Sequence, residues 1–356
     1  MSTVAEIQEA VQKLTPQERA ALAKAVLTDW LQSSEKPTMS RRLTGAMIAA
    51  LERDVPASEP GGTAQGLLPE HWELILDKLA EPDPLCVAFL GAGASLGSKG
   101  QPGLPSASQL AHAMARRCEY PGPDPYDFLR VAQFFEEKRE PYALRSFLCK
   151  QLDAKQAGVA PTAVHRIIAR LPFRYVLTTN FDELMEEAYA DPQVNKKPQV
   201  CYYRRFGPME ALPPATAQTP VVYKLHGTIK DWESMVVTEH DVVEFMSCVF
   251  LQKPPLPDVI RGLFKTHSVL FIGYGLKDWN VRVLIQAIRN GERGTRCGIK
   301  SYAVQRRPNC PPGLGREWDS LVEFWDKQAN LVCANMDATE FASALEQQTR
   351  QRGLIP

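Results

Sequence analysis

Leu85-Cys86-Val87-Ala88-Phe89-Leu90-Gly91-Ala92-Gly93-Ala94-Ser95 runs from a continuous apolar stretch straight into a glycine-rich turn. A strand buried on both faces requires such a stretch, and such strands belong to parallel sheets. Two further segments repeat the arrangement. Tyr175-Val176-Leu177-Thr178-Thr179 leads into Asn180-Phe181-Asp182, and Val221-Val222-Tyr223-Lys224-Leu225 leads into His226-Gly227. Open α/β sheets bind ligands at the carboxyl ends of their strands. Three such ends read as the walls of one nucleotide site.

Working outward, a fourth strand at 269–272 ends in Gly273-Tyr274-Gly275, and a fifth is read at 301–304. Helices are expected at about 69–80, from Ser106 onward behind a Ser106/Gln109 capping box, through much of 124–171, after Asp182, and after Asp337. Strands alternating with helices predict an α/β fold: a Rossmann-like, mainly parallel sheet with helices on both faces. The helical insert spans about 106–171. Residues 207–219 are proline-rich and read as loop.

Before this body lies a different segment. Thr15-Pro16-Gln17-Glu18 is a helix start, and Ala20, Ala23, Trp30 and Leu31 then form an apolar face. Prolines and glycines at 56, 60, 61, 62 and 66 read as a linker. Residues 1–66 are therefore expected to be a helical extension and linker, with residues 67–356 as the nucleotide-binding domain. The apolar face needs a partner, either the main body or another subunit.

The chain's 356 residues suffice for one large or two modest domains. Its 41 basic and 41 acidic residues cancel, which removes the electrostatic case for nucleic acid or an anionic membrane as main partner. No apolar run approaches the ~20 residues of a membrane helix. The N-terminus lacks a charged region followed by an apolar one. The expectation is a cytoplasmic protein. Eight cysteines lie singly, with no Cys-x-x-Cys pair. A zinc ribbon, which needs two such pairs, is not expected, nor is any other metal site; scattered cysteines read as small buried apolar residues.

Each motif has two readings on its residues alone. Gly91-Ala92-Gly93 lets a diphosphate approach the backbone, or it makes a tight turn. Ser95 bonds a phosphate or ribose oxygen, or caps that turn. Asn180 and Asp182 leave their strand two residues apart and face one cleft, or they cap a helix. His226, beside Gly227 at a strand end, is a general-base candidate or a structural histidine. Tyr274 and Asp278 contact a nucleoside, or shape the turn.

Taken together and in order, the Gly-Ala-Gly-x-Ser loop, the Gly103-Leu104-Pro105 after it, Thr179-Asn180-Phe181-Asp182, Leu225-His226-Gly227 and Gly273-Tyr274-Gly275 resemble the sirtuin-like family of NAD-consuming domains. The resemblance covers about Leu85 to Val304. It implies that Gly91, Ala92, Gly93 and Ser95 line the NAD+ phosphates and ribose. Thr179, Gly227, Gly273, Tyr274, Gly275 and Asp278 would complete the binding surface. It places Asn180 by the nicotinamide ribose, positioning water, and Asp182 on the carboxamide. It makes His226 the base on a ribose hydroxyl. Protein-deacylating members carry a zinc ribbon and an Asp-Phe-Arg where this chain has Ser106-Ala107-Ser108. The pattern looks closer to bacterial anti-phage effectors, which the family implies are NAD+ hydrolases.

That reading expects NAD+ as substrate, with nicotinamide leaving as a neutral ring. Its rivals are a deacylase, an ADP-ribosyltransferase, and a non-enzymatic NAD-sensing or assembly module. Unchecked hydrolysis would kill the host, so residues 1–66 are expected to gate it or to form a homo-oligomer contact, with a separate sensor protein as a further possible partner.

Overall fold

The computed structural model describes residues 66–98, 100–206, 211–275, 299–306 and 330–356, with 318, 320, 322, 323 and 325–327. The chain divides into Met1–Pro60 and Gly61–Pro356, and every described residue lies in the second unit. The expected Thr15 helix start and almost all of the expected 52–66 linker lie outside the described residues.

Among the described residues seven parallel strands form one sheet: β1 (Cys86–Leu90), β2 (Tyr175–Thr178), β3 (Gln199–Tyr202), β4 (Val221–Lys224), β5 (Ser268–Ile272), β6 (Ser301–Val304) and β7 (Leu331–Ala334), in the order β3-β4-β2-β1-β5-β6-β7. The described helices are α1 (Pro69–Ala80), α2 (Ala107–Cys118), α3 (Phe128–Arg139), α4 (Pro141–Leu152), α5 (Ala154–Ala157), α6 (Ala163–Arg170), α7 (Leu184–Tyr189), α8 (Glu239–Leu251), α9 (Asp258–Thr266) and α10 (Ala338–Gln351). This is the expected α/β, Rossmann-like arrangement. The Ser106/Gln109 and Asp337/Glu340 capping boxes open α2 and α10 as their sequences dictate.

Two edge strands, β3 and β7, add to the five read from sequence. In β3 the middle residue Val200 is exposed and its neighbours only half-buried, so no doubly buried run marks it. The β7 run Leu-Val-Cys-Ala is apolar but only four residues long.

Alternation along each strand divides the core into two layers. Val87 and Phe89 of β1, with Leu177, Tyr223 and Phe271, pack against Phe245 of α8 and Ile260 and Phe264 of α9. Cys86, Ala88 and Leu90, with Val176, Val222 and Leu270, pack against Ile75 of α1, Ile168 of α6, Met185 of α7 and Phe341 of α10. A third cluster is centred on the insert, where Leu110 and Met114 of α2, Val131 and Phe135 of α3, and Leu144 and Leu148 of α4 meet, and it takes in Leu184, Met235 and Val237 from outside it. Of the six described cysteines, Cys86, Cys118 and Cys333 are buried; Cys149, Cys201 and Cys248 are only half-buried, a partial correction of the expectation.

Register matters more for function than packing. Leu90 pairs with Thr178 and with Ile272, Thr178 pairs with Lys224, and Lys224 with Tyr202. Five strands therefore end at one level, and Gly91, Thr179, Leu225 and Gly273 leave four of them together. The β1 and β5 turns then lie backbone against backbone. Gly93 N donates to Gly273 O at 2.9 Å. A Cβ on Gly91 would stand 2.7 Å from Gly273 O, and one on Gly93 would stand 2.8 Å from Gly273 Cα. Gly273 has φ +80°, and a Cβ there would overlap the Ala94 nitrogen.

Gly158, also at positive φ (+65°), has open space around it. Gly158→Ala should therefore cost about 1 kcal/mol, the left-handed backbone term alone. Gly273→Ala should cost clearly more, because a clash is added to the same term. Chemical denaturation of the two variants measures the difference; equal losses would mean that the loop contact is not tight.

Candidate active site

A cavity of about 430 Å³ opens at the carboxyl ends of β1, β2 and β4, within the usual size range for a small-molecule site. Its polar wall is Ser95, Thr179, Asn180, Asp182, His226 and Tyr274, beside Ala92; its apolar wall includes Leu104, Leu110, Phe128, Leu129, Leu152, Phe181 and Val236. The insert thus supplies much of the apolar side and the strand ends the polar side. Seven of the residues read from sequence meet here. Gly91, Gly93 and Gly273 sit behind this wall, in the loop contact. Gly227 (φ +82°) turns the chain against the Ser234 carbonyl. Gly275 is outside the lining, and Asp278 lies outside the described residues.

Asn180 is held by its own turn. Its backbone N donates to Thr178 Oγ1 (2.9 Å), and its Nδ2 donates to Gly91 O (3.0 Å) and Ser95 Oγ (3.1 Å). With both amide hydrogens committed, Oδ1 remains as an acceptor for a ligand or water. Ser95 Oγ donates in turn to Asp182 Oδ2 (2.9 Å), while Asp182 Oδ1 accepts from the Leu184 N at the start of α7 (3.0 Å). Asp182 thus lines the cavity while its carboxylate bonds the first residue of α7; the N-cap position itself falls to Glu183, whose side chain makes no cap bond, so the expected helix cap at Asp182 is corrected by one residue. Tyr274 OH donates to Leu90 O (2.9 Å) and lies 2.9 Å from Thr179 Oγ1, with its ring on Phe89.

His226 sits opposite in character. Its ring meets Phe245 edge-on at 5.0 Å, and its Nε2 is sealed from solvent without a hydrogen-bond partner among the described residues. Nδ1 is then the nitrogen that can meet a ligand. Burial, helped by the nearby Arg205 guanidinium and opposed by Asp241, pushes its pKa down to about 4. The ring is neutral at pH 7 and able to accept a proton.

Behind His226 lies a group of buried charges that sequence reasoning missed. Asp241 of α8 accepts from Arg205 Nη1 (2.6 Å) and Arg145 Nη2 (3.2 Å), and from the Val237 and Thr238 backbone (2.9 and 3.1 Å). Burial opposes ionisation of Asp241, but the two guanidiniums and the Val237 N–H outweigh it and hold the carboxyl below its usual range. Arg205 also donates to Met235 O (3.1 Å), and Val236 N donates to His226 O (3.0 Å). The cluster so ties the insert, the segment after β3 and the His226 loop together. No spacing rule links Arg145, Arg205 and Asp241. Lys224 is different: a lysine inside an apolar strand is a readable signal.

Among the described residues no group of three or more His, Cys, Asp or Glu side chains could hold a metal ion, and no helix is long and apolar enough to cross a membrane.

Part of the chain is similar to known proteins. A family model described as "SIR2-like domain" matches residues 174–326. The chain is 29% identical over 206 residues to the NAD(+) hydrolase ThsA of Enterococcus faecium, across 56% of this chain and 39% of that protein. It is 26% identical over 227 residues to the NAD(+) hydrolase ThsA of Bacillus cereus (62% and 44%). Defense-associated sirtuin 2 of Bacillus subtilis matches at 25% over 166 residues (46% and 15%). The chain thus spans less than half the length of these curated relatives. The matched segment begins just before β2 and takes in Asn180, Asp182, His226 and Gly273, to which the glycine loop of β1 is bonded. Over residues 174–326 the chain is thus similar to a SIR2-like domain.

Proposed function

We propose that this chain is an NAD+ hydrolase that adds water across the nicotinamide–ribose bond, releasing nicotinamide, ADP-ribose and a proton. In the cell it would act as a gated, NAD-depleting effector of bacterial anti-phage defence, in the cytoplasm. The observation that carries the reading is the meeting, in one cavity, of an Asn180 amide fixed by two hydrogen bonds and a His226 ring whose Nε2 is sealed from solvent and whose burial favours the neutral form. The names of the relatives support the choice of substrate.

Cleavage of this bond passes through an oxocarbenium-like state, so the protein's task is to hold the ribose, exclude bulk water and aim one water at the anomeric carbon. Asn180 Oδ1 is the group to orient that water. His226 takes a proton from a ribose hydroxyl or from the water, a contribution of about 10²–10⁴-fold. Ser95 and Asp182 keep Asn180 in place, and Asp182 is the candidate for the carboxamide. The apolar wall contributed by the insert keeps solvent out. A neutral leaving group needs no acid, so positioning weighs as much as proton transfer.

Residues 1–66 we read as the gate or as a homo-oligomer contact, released by the trigger itself or through a separate sensor protein, with residues 67–356 as the catalytic body.

Product analysis tests the activity directly. Pure protein with NAD+ should give nicotinamide and ADP-ribose without added peptide. Dependence on an acyl-lysine peptide would mean a deacylase, label on a protein an ADP-ribosyltransferase, and intact but bound NAD+ a sensing module. Asn180→Ala and His226→Ala should each remove about 99% or more of the hydrolysis while the circular dichroism spectrum is unchanged. Because the folded pKa of His226 lies below its ordinary 6.5, the base form persists as pH falls. Initial rates should therefore hold from pH 8 through 6 and drop only toward pH 4; a rate halved near 6.5 would remove His226 from the role of base. Deleting residues 1–66 should change either the activity or the mass in solution, read by nicotinamide release and light scattering. If neither changes, that segment is not the gate.

A further inference from the structure

Lys224 ends β4 two residues before His226, between Tyr223 and Leu225, and its side chain is 0% exposed. It does not line the cavity. A buried lysine on an apolar strand is expensive to desolvate, and an apolar side chain of similar volume would serve packing at least as well. What the ammonium does is specific. Nζ donates to the main-chain O of Asp182 and pairs with Glu186 Oε1 of α7 at 2.7 Å. Burial drives the Glu186 carboxyl upward in pKa, against the pull of Lys224.

Asp182 is the last residue of the turn that carries Asn180. From its carbonyl, held by Lys224, three links lead to the reacting wall: Asp182 Oδ2 to Ser95 Oγ, Ser95 Oγ to Asn180 Nδ2, and Asn180 Nδ2 to Gly91 O. A second clasp reaches the same turn from the His226 side, where Ile229 N donates to Phe181 O at 3.1 Å. The strand that presents His226 therefore also fixes the turn that presents Asn180.

We propose that Lys224 is a positioning residue: its buried ammonium, clamped by Glu186, sets the 179–182 turn from inside the sheet, and so sets Asn180 and Ser95 against His226. The proposal rests on the hydrolase reading for its assay, though not for its geometry.

Removing Lys224 alone would strand Glu186, so the variant tested is the pair Lys224→Met/Glu186→Gln, with Glu186→Gln as control. The control loosens the clamp but keeps the bond from Lys224 to the Asp182 carbonyl, so its loss of kcat should be at least about threefold smaller than that of the pair. The pair should lose about 30-fold or more in kcat, since misplacing a reacting group by about 1 Å costs on the order of 10²-fold, with KM within about threefold. Adding Ser95→Ala separates positioning from general weakening. If Lys224 acts through this chain of bonds, the triple variant should fall no more than about twofold below the worse of the pair and Ser95→Ala alone. Losses that multiply, or a pair variant with wild-type kcat, overturn the assignment. Should the pair not fold, Lys224→Gln/Glu186→Gln goes through the same cycle with the same criteria. A wild-type protein that binds NAD+ without cleaving it removes the hydrolase reading alone. The cycle is then run on calorimetric affinities, and independent losses there overturn Lys224's role. No binding at all overturns both.

Discussion

The contact between the Gly91–Gly93 backbone and Gly273 is the constraint on which the site depends. Two turns from neighbouring parallel strands approach until main-chain atoms touch, and no side chain fits between them. This closeness fixes where Gly91 O lies, and Gly91 O is what the Asn180 amide reads. It also brings Tyr274 over Leu90 and Thr179. The glycines therefore act on the cavity through the side chains they locate. A Rossmann-type reading, in which glycine admits phosphate, describes only part of their work.

Buried charge is the second theme. Lys224 with Glu186 stands behind Asn180, and Arg205 with Asp241 and Arg145 stands behind His226. Buried ion pairs add little to stability against apolar packing. Their value here is directional: each bonds main-chain carbonyls or amides of a loop that carries a polar cavity residue. They also set the electrostatics, because Arg205 adds to the burial that keeps His226 neutral.

Much of this was legible in the sequence, for definite reasons. Strands β1, β2, β4 and β5 are buried on both faces, so their apolar runs stand out, and the polar residues that end them mark the site. The capping boxes at Ser106 and Asp337 are local and were equally readable. The edge strand β3 was not, since half-exposed Gln199 and Tyr202 break the run. Nor was the Arg145–Asp241–Arg205 cluster, whose members come from the insert, the segment after β3 and α8 and meet only in three dimensions. The contact of Gly91 with Gly273 was hidden for the same reason: each turn was visible, their touching was not.

Pairing over long sequence separations has a consequence for the timing of synthesis. Tyr274 OH bonds Leu90 O, 184 positions away, and β1 pairs with both β2 and β5. Non-local parallel pairing is slow to form and cannot precede emergence of its later partner from the ribosome. A nascent chain that has displayed the glycine loop, and even Asn180 and His226, still lacks the turn against which that loop is built. The cavity becomes whole only when β5 is in place. Whatever chemistry the finished cavity performs, the chain would thus be without it through most of its synthesis.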